Sequence, residues 1–243
     1  MELISEAYHI DCVEYMRELP DKYFTLAVAD PPYGQAGKAG WADGRFGGGS
    51  TARFFKYRKP DTGSGLAVAW DTAPMDEFFT ELRRVSCHQV IWGGNFFALP
   101  PCKCFLVWVK SNIPDGFNMA QAEYAWTSLG CNSKVFHGSS SRTSSSAGFH
   151  PTEKPVALYR WLLRDVCTPA AMRLHDPLER IRVFDPMMGT QSSRVAAALL
   201  GIDYYGCEID AEYYRQGCEF YARLMNTAAP EQTRPQPLQL SLF

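Results

Sequence analysis

The chain has 243 residues, of which 46% are hydrophobic and 21% are charged, and its formal net charge is −2 at pH 7. These values are ordinary for one globular α/β domain, and they exclude a chain that is polar and disordered throughout. The sum of charges gives no overall signature of nucleic-acid binding.

Three further features set limits on the class of protein. No apolar run approaches membrane-spanning length, and residues 1–6 lack the basic start of a signal peptide. The eight cysteines are irregularly spaced and include no CxxC pair, which predicts reduced thiols and no metal site. We therefore expect a cytoplasmic protein with no membrane association.

Strands and helices alternate along the predicted chain, which indicates a layered α/β sheet. The apolar patterns predict strands at 7–10, 24–29, 89–92, 104–109, 122–127, 181–184 and 204–208, and helices from 11, over 75–85, from 155, over 192–200 and from 211. The Ser- and Gly-rich stretch 133–149 is predicted to be a flexible surface segment.

The segment Asp30-Pro31-Pro32-Tyr33 ends the predicted strand 24–29. Neither proline can donate a ladder hydrogen bond, so a carboxylate, a rigid carbonyl and an aromatic ring are presented at the carboxyl end of the strand. The Asp30 carboxylate and the Pro31 carbonyl would each accept an N–H of a planar exocyclic amine, with Tyr33 stacking on an extruded base. The simpler alternative is a Pro-Pro turn with a capping aspartate.

A second unit of strand, loop, helix and strand spans 181–208 and is suited to a nucleotide-like cofactor. Its loop begins at Asp185, and Glu208 ends its second strand, where a carboxylate can bind ribose hydroxyls. The loop departs from a glycine-rich fingerprint, because Gln191 stands where a second glycine is expected.

These motifs resemble those of the amino-directed DNA methyltransferases. Asp-Pro-Pro-Tyr at 30–33 is similar to their catalytic motif, and it is followed by His-Pro-Thr-Glu-Lys-Pro at 150–155 and Asp-Pro-x-x-Gly at 185–189. This order resembles the permuted β group, in which the catalytic half precedes the cofactor half. The resemblance implies a Rossmann-like methyltransferase fold with a mostly parallel sheet, helices on both faces and a circularly permuted motif order, in a bacterial or phage protein.

The resemblance also implies S-adenosyl-L-methionine as the methyl donor and direct transfer without a covalent enzyme intermediate. The residues it assigns to catalysis are Asp30, Pro31, Pro32 and Tyr33. The residues it assigns to the cofactor are Asp11, Cys12, Asp30, His150, Thr152, Lys154, Asp185, Pro186, Met187, Gly189, Thr190, Ser192 and Glu208.

The expected substrate is adenine N6 in double-stranded DNA, because Asp-Pro-Pro-Tyr resembles the adenine enzymes more often than the Ser-Pro-Pro-Tyr form of many cytosine enzymes. Cytosine N4 is the nearest alternative. An inactive, methylase-derived DNA- or clamp-binding protein is a third hypothesis, and the Gln191 departure is the only sequence feature that favours it. RNA or protein amides are less favoured, since those enzymes usually show Asn-Pro-Pro-Tyr.

A methyltransferase domain is expected over 1–226, with a mobile basic loop at 34–65 and a variable target-recognition region at 112–149. A basic stripe interleaved with aromatic residues predicts DNA contact in that loop, although a solvated basic loop is an equal alternative. The residues expected to bind DNA are Lys38, Arg45, Arg53, Lys56, Arg58, Lys59 and Arg142. The chain is short for an enzyme that reads DNA, so a homodimer is a further hypothesis.

The stretch 227–243 is rich in Pro, Gln and Ala and is predicted to be a disordered tail. Its last residues, Gln-Leu-Ser-Leu-Phe, resemble the peptide by which bacterial proteins bind the β sliding clamp. Apolar contacts would come from Leu240, Leu242 and Phe243, and the Gln239 amide would fix the register. The alternative is a tail with chance hydrophobic residues.

Overall fold

The computed structural model describes residues 3–33, 74–117, 120–140, 153–168, 172 and 180–226. Its strands are β1 Ser5–His9, β2 Phe24–Ala29, β3 Ser86–Trp92, β4 Phe105–Lys110, β5 Ala122–Thr127, β6 Lys134–Gly138, β7 Arg182–Asp185 and β8 Asp203–Glu208. Its helices are α1 Cys12–Arg17, α2 Asp76–Val85, α3 Val156–Trp161, α4 Ser192–Leu199 and α5 Ala211–Met225, and a π-helical turn, Leu162–Val166, extends α3.

The eight described strands form one sheet in the order β1-β8-β7-β2-β3-β5-β4-β6. Only β5 runs antiparallel to its neighbours, β3 and β4. The expectation of a mostly parallel sheet is therefore confirmed. Strands β2 and β7 are neighbours in the sheet. The chain passes from β2 to β3 on one side of this pair and from β7 to β8 on the other side, so the two connections run in opposite directions. In open α/β sheets such a switch point is where ligands bind.

Helices cover both faces of the sheet, as the sequence predicts. On one face α1 and α2 pack against the strands, and on the other face α3, α4 and α5 do so. All six positions of β2 are buried, because this central strand has helices above and below it. That double coverage explains why β2 is a continuous apolar run rather than an alternating one.

Helices α1 and α5 each begin with an aspartate cap. Oδ1 of Asp11 accepts from the backbone N–H of Val13 at 2.8 Å and of Glu14 at 3.1 Å. Asp210 caps α5 in the same way. Each cap satisfies backbone donors that the first helical turn leaves unpaired, and this fixes where the chain leaves β1 and β8.

The prediction for 133–149 is wrong at its start, because Lys134–Gly138 is a strand that pairs in parallel with β4. The pairing joins segments far apart in sequence, and the strand is a half-exposed edge with a mixed polar composition. Such a strand gives a weak local pattern. Since β5 and β6 both lie within 112–149, these two segments of the expected target-recognition region are part of the sheet.

Two further observations concern the expectations about membrane spans and cysteines. Among the residues that the structure describes, no helix is both long and apolar enough to span a membrane. All eight cysteines are free thiols.

Candidate functional site

The candidate site lies along the edge of the sheet where the parallel strands end. Asp30 directly follows β2, while Asp185 and Glu208 are the last residues of β7 and β8. Antiparallel β5 begins at this same edge and brings Glu123 to it. Three carboxylates that the sequence predicts for the site are therefore aligned on strands that neighbour one another at the switch point.

Asp30 is held by two side chains, one on each carboxylate oxygen. The hydroxyl of Tyr33 donates to Oδ1 at 2.9 Å, and the ammonium of Lys154 forms an ion pair with Oδ2 at 2.5 Å. Lys154 also donates to the hydroxyl of Tyr33 at 3.3 Å. Burial raises the pKa of Asp30, and the Lys154 ammonium opposes that rise. Asp30, Tyr33 and Lys154 thus form one cluster, in which Lys154 is buried, Asp30 and Tyr33 are half-buried, and Pro31 is buried beside them.

Lys154 links this cluster to a second carboxylate, Glu123. The Lys154 side chain is only 2% exposed, and its Nζ lies 3.2 Å from Oε2 of Glu123. Lys110, at the end of β4, pairs with Oε1 of Glu123 at 2.8 Å. Burial works to raise the pKa of Glu123, but the two ammonium groups together hold it below its usual value. Burial likewise works to lower the pKa of Lys154, but Asp30 and Glu123 hold it well above its usual value.

A close backbone approach holds the Tyr33 ring in place. Gly93, which follows β3, has a φ of +66°, and a Cβ at this position would lie 2.1 Å from Cε1 of Tyr33. Only glycine fits, because both the backbone conformation and the ring exclude a side chain. On another side Tyr33 stacks on Phe96, with 4.9 Å between the ring centroids. The result is an aromatic wall beside the Asp30 carboxylate.

The loop after β7 is organised around Asp185. Its Oδ1 accepts from the backbone N–H of Met187 at 3.1 Å, and its Oδ2 accepts from the hydroxyl of Ser193 at 2.6 Å. Burial raises the pKa of Asp185 to about 7, and these two hydrogen bonds oppose the rise. Asp185 therefore titrates near neutral pH and fixes the start of the loop.

Glu208 ties the other end of that loop to β8. The backbone N–H of Gly189 donates to its Oε2 at 3.0 Å, and that of Asp210 donates to its Oε1 at 2.8 Å. Burial raises the pKa of Glu208, and these N–H groups oppose the rise. A carboxylate oxygen accepts more than one hydrogen bond, so Glu208 keeps acceptor capacity for a ligand hydroxyl.

Gln191 stands where a glycine-rich cofactor loop would have a second glycine, and the structure explains this difference. Gln191 has a φ of 62°, the left-handed conformation that glycine would supply, so the backbone turn is the one expected of the motif. Its buried side-chain amide accepts from Arg194 at 2.9 Å and donates to the carbonyl of Tyr214 at 3.4 Å. The glutamine therefore joins α4 to α5 without changing the turn.

The remaining described candidates lie near this loop or at the adjacent strand end. The hydroxyls of Thr190 and Ser192 are buried and lie 3.1 Å apart. Asp11 serves as the cap of α1, and burial raises the pKa of the neighbouring Cys12 thiol to about 12. Pro186 and Met187 are part of the loop itself.

Several candidate residues lie outside the described part of the chain. They are the cofactor candidates His150 and Thr152, the DNA candidates Lys38, Arg45, Arg53, Lys56, Arg58, Lys59 and Arg142, and the clamp candidates Gln239, Leu240, Leu242 and Phe243. The basic loop at 34–65 also falls there.

The structure adds Glu123, Lys110 and Trp92 to the site. The Trp92 side chain is fully buried at the end of β3, its ring centroid is 5.4 Å from Nζ of Lys154, and its Nε1 has no hydrogen-bond partner among the described residues. The sequence signals for these residues are weak. The only such signal is a charged residue at or next to the end of an apolar strand, and it applies to Lys110 and Glu123.

Comparison with known proteins agrees with this geometry. The profile of a family described as DNA methylase, the N6/N4 methyltransferases, matches residues 91–219, which is more than half of the chain. The chain belongs to the N6/N4 DNA methylase family. No curated protein sequence matches it significantly.

Among solved structures, a cytosine-N4 methyltransferase shares the fold of this DNA methylase, and two others are similar to a lesser degree. The cytosine-N4-specific PvuII DNA methyltransferase superposes with a TM-score of 0.51 at 13% identity, covering 93% of this chain and 95% of that one. A Thermus thermophilus protein named as a DNA modification methylase, complexed with S-adenosyl-L-methionine, gives a TM-score of 0.49 at 17% identity, with coverages of 90% and 95%. The M1.HpyAVI–SAM complex gives 0.48 at 17% identity, with coverages of 89% and 98%.

The methylases of this family depend on S-adenosyl-L-methionine, and so does this chain. The chemistry of the site fits that cofactor. Asp185 and Glu208 accept hydrogen bonds from backbone N–H groups and the Ser193 hydroxyl, and neither forms a salt bridge within the described part of the chain. A ligand with a sulfonium, an ammonium and ribose hydroxyls supplies both positive charge and donors.

Proposed function

We propose that this methylase transfers a methyl group to the N6 amino group of an adenine flipped out of double-stranded DNA. The observation that supports the proposal best is the position of Asp30 and Tyr33 at the switch point, next to the Asp185 strand end. A carboxylate there accepts an N–H of the amine, and this helps the amine nitrogen to act as the nucleophile. The stack of Tyr33 on Phe96 supplies an aromatic wall for a base.

The cofactor, when bound, supplies an activated methyl group on a positively charged sulfur. We propose that Glu208 binds its ribose hydroxyls, that the loop from Asp185 to Ser192 surrounds its methionine and ribose portions, and that Lys154 lies near its amino-acid end. Asp11 and Cys12, at the neighbouring end of β1, are the proposed contacts of the adenine ring. His150 and Thr152 complete the proposed set by the family motif.

No nucleophilic side chain is required in this scheme. The described cysteines nearest the site, Cys12 and Cys207, are buried thiols whose pKa values burial raises, so both stay protonated at neutral pH. The protein therefore contributes alignment of the amine, acceptance of its N–H and exclusion of water.

The decisive experiment is expression in a host that lacks DNA methylation, followed by mass spectrometry of the digested nucleosides. We expect N6-methyladenine from the native protein and none from Asp30→Ala. Asp21→Ala is a suitable control, because this exposed carboxylate lies at the opposite edge of the sheet. N4-methylcytosine would correct the base and keep the site, whereas neither product from a folded native protein would refute the proposed reaction.

The DNA contacts are proposed to come from the basic residues of 34–65 and from Arg142. Because β5 and β6 belong to the sheet, contacts from 112–149 are proposed only outside these two strands. Substitution of Arg53 and Lys56 by Gln should weaken DNA binding and reduce its salt dependence, while cofactor binding is kept. Unchanged salt dependence would contradict this assignment.

We also propose that 227–243 is a tail whose residues 239–243 bind the bacterial β sliding clamp. Removal of these five residues should abolish clamp binding in calorimetry and leave methyl transfer on free DNA unchanged. Clamp binding that persists after the removal would refute the proposal.

A further inference from the structure

The arrangement around Asp30 presents a difficulty for the proposed reaction. Both of its carboxylate oxygens are engaged, Oδ1 by the Tyr33 hydroxyl and Oδ2 by the Lys154 ammonium. An ammonium at 2.5 Å takes up the negative charge that would otherwise attract the N–H of a substrate amine. Each oxygen keeps capacity for a further hydrogen bond, but Asp30 would hold the amine more strongly if its pairing with the Lys154 ammonium were weaker.

Glu123 offers the ammonium another position. Its Oε1 is fixed by Lys110 at 2.8 Å, whereas its Oε2 lies 3.2 Å from Lys154 Nζ and makes no satisfactory hydrogen bond with any described group. A charge-assisted N–H···O bond prefers about 2.7–2.9 Å, so a displacement of a few tenths of an ångström would complete this one. Oε2 of Glu123 is thus a buried acceptor that lies ready for the same cation.

The surroundings of Lys154 allow this displacement at little electrostatic cost. Its Nζ lies 5.4 Å from the ring centroid of Trp92 and 5.8 Å from that of Tyr33, both within the range of cation–π attraction. The lysine side chain ends in a compact charge on a flexible four-carbon stem, so its ammonium can shift between two acceptors without movement of the backbone.

A single structural ion pair would not need a second carboxylate. Burying one more charge is costly unless the charge has a partner, and replacing buried charges by apolar groups is often neutral or stabilising. Glu123 already has Lys110 as a partner, so its second oxygen, 3.2 Å from Lys154, is available to attract that ammonium.

We propose that Glu123 is a positioning residue that draws the Lys154 ammonium toward itself when the target amine enters, which weakens the ion pair with Oδ2 of Asp30 and lets this oxygen accept the amine N–H more strongly. This inference rests on the proposed function. In this scheme Glu123 acts only through Lys154 and touches neither the base nor the methyl group.

The test compares Glu123→Gln with the wild type in single-turnover methylation of genomic DNA from a methylation-free host. The glutamine keeps the shape and an acceptor oxygen but loses the charge that draws the ammonium away. We expect the methyl-transfer rate to fall about tenfold or more while the affinities for cofactor and DNA change less than about threefold. The conservative variant Glu123→Asp should restore part of the rate.

Glu81→Gln is the matched control. Glu81 is also a shielded carboxylate in an ion pair, with Arg84 at 2.7 Å, but it lies on α2 at the opposite edge of the sheet. Its substitution removes a paired charge without touching the site, so the methyl-transfer rate should stay at the wild-type value. Thermal unfolding of both variants separates a loss of rate from a loss of folded protein.

The outcomes distinguish the inference from the function on which it rests. An active wild type with an equally fast Glu123→Gln variant would overturn the inference alone. A slow Glu123→Gln variant whose rate loss matches its loss of folded protein would also overturn it, because Glu123 would then be structural. A folded wild type without any methylated product would overturn the proposed function and this inference together.

Discussion

The ammonium of Lys154 lies 2.5 Å from the carboxylate of Asp30, although one residue precedes α3 and the other follows β2. The Lys154 side chain is 2% exposed and that of Asp30 is 18% exposed, and Lys154 also lies 3.2 Å from Glu123. Glu123 is also paired with Lys110, whereas the charged form of Asp30 is stabilised mainly by the ammonium of Lys154. Removal of that cation should affect both stability and its dependence on pH.

We expect Lys154→Met to lower the free energy of unfolding by about 3 kcal/mol at neutral pH, the usual cost of leaving a buried charge without its partner. Without the ammonium, burial raises the pKa of Asp30 further above its unfolded value. The stability of the variant is then greatest at low pH and is lost as pH rises through the folded pKa. Urea unfolding between about pH 5 and pH 8 measures this. Lys154→Arg keeps the charge and serves as the control, and a pH-independent deficit in Lys154→Met would contradict the explanation.

The contact between Gly93 and Tyr33 can be tested with a matched pair of glycines. Gly93 and Gly201 have nearly the same φ, +66° and +67°, but only at Gly93 would a Cβ collide with a ring, whereas at Gly201 no described atom lies within 4 Å. Gly201→Ala should therefore cost only the backbone strain, about 1 kcal/mol.

Gly93→Ala should cost more than this in urea unfolding and should abolish methyl transfer, because the Tyr33 ring must leave its place beside Asp30. Equal stability losses and equal activities in the two variants would show that the close contact has no consequence.

Gln191 allows a separation of backbone strain from side-chain bonding. Gln191→Gly would relieve the left-handed conformation but would remove the acceptor of Arg194 and leave a cavity between α4 and α5. Arg194 would keep its hydrogen bonds to Ser5, but one of its buried N–H groups would lose its acceptor. We expect a net loss of about 1–3 kcal/mol in the free energy of unfolding, since the lost bond and the cavity outweigh the strain. Asn226→Gly, an exposed left-handed position after α5, should change stability by less than about 0.5 kcal/mol. A stabilised Gln191→Gly variant would refute the stated role of the side chain.

Asp185 should make stability depend on pH. Its folded pKa, about 7, is raised above its unfolded value. The wild type therefore holds the associated stability at low pH and loses it as pH rises from about 4 through 7, by up to about 1.4 kcal/mol per pH unit. Asp185→Asn, which does not titrate, should lack this loss and should gain stability relative to the wild type above pH 7. Parallel pH profiles of the two proteins in urea unfolding would contradict the raised pKa.

Much of the fold follows from local patterns that the structure confirms. The apolar run of β2, the amphipathic pattern of α2 and the aspartate before α1 each specify their element through neighbours in sequence. The strand β6 could not be predicted from local patterns, because only its pairing with β4 makes it a strand. Edge strands with mixed polarity carry no strong pattern of their own.

The sequence by itself predicted the candidate chemistry of the chain. The Asp-Pro-Pro-Tyr segment, the loop from Asp185 and the carboxylate of Glu208 each lie at the end of a predicted strand, where particular residues at fixed spacing give a local signal. The tertiary structure decided what surrounds them. Gly93 under Tyr33, Glu123 beside Lys154 and the bridge made by Gln191 are contacts between segments distant in the chain. Their geometry depends on strand order and register, and no local pattern encodes these.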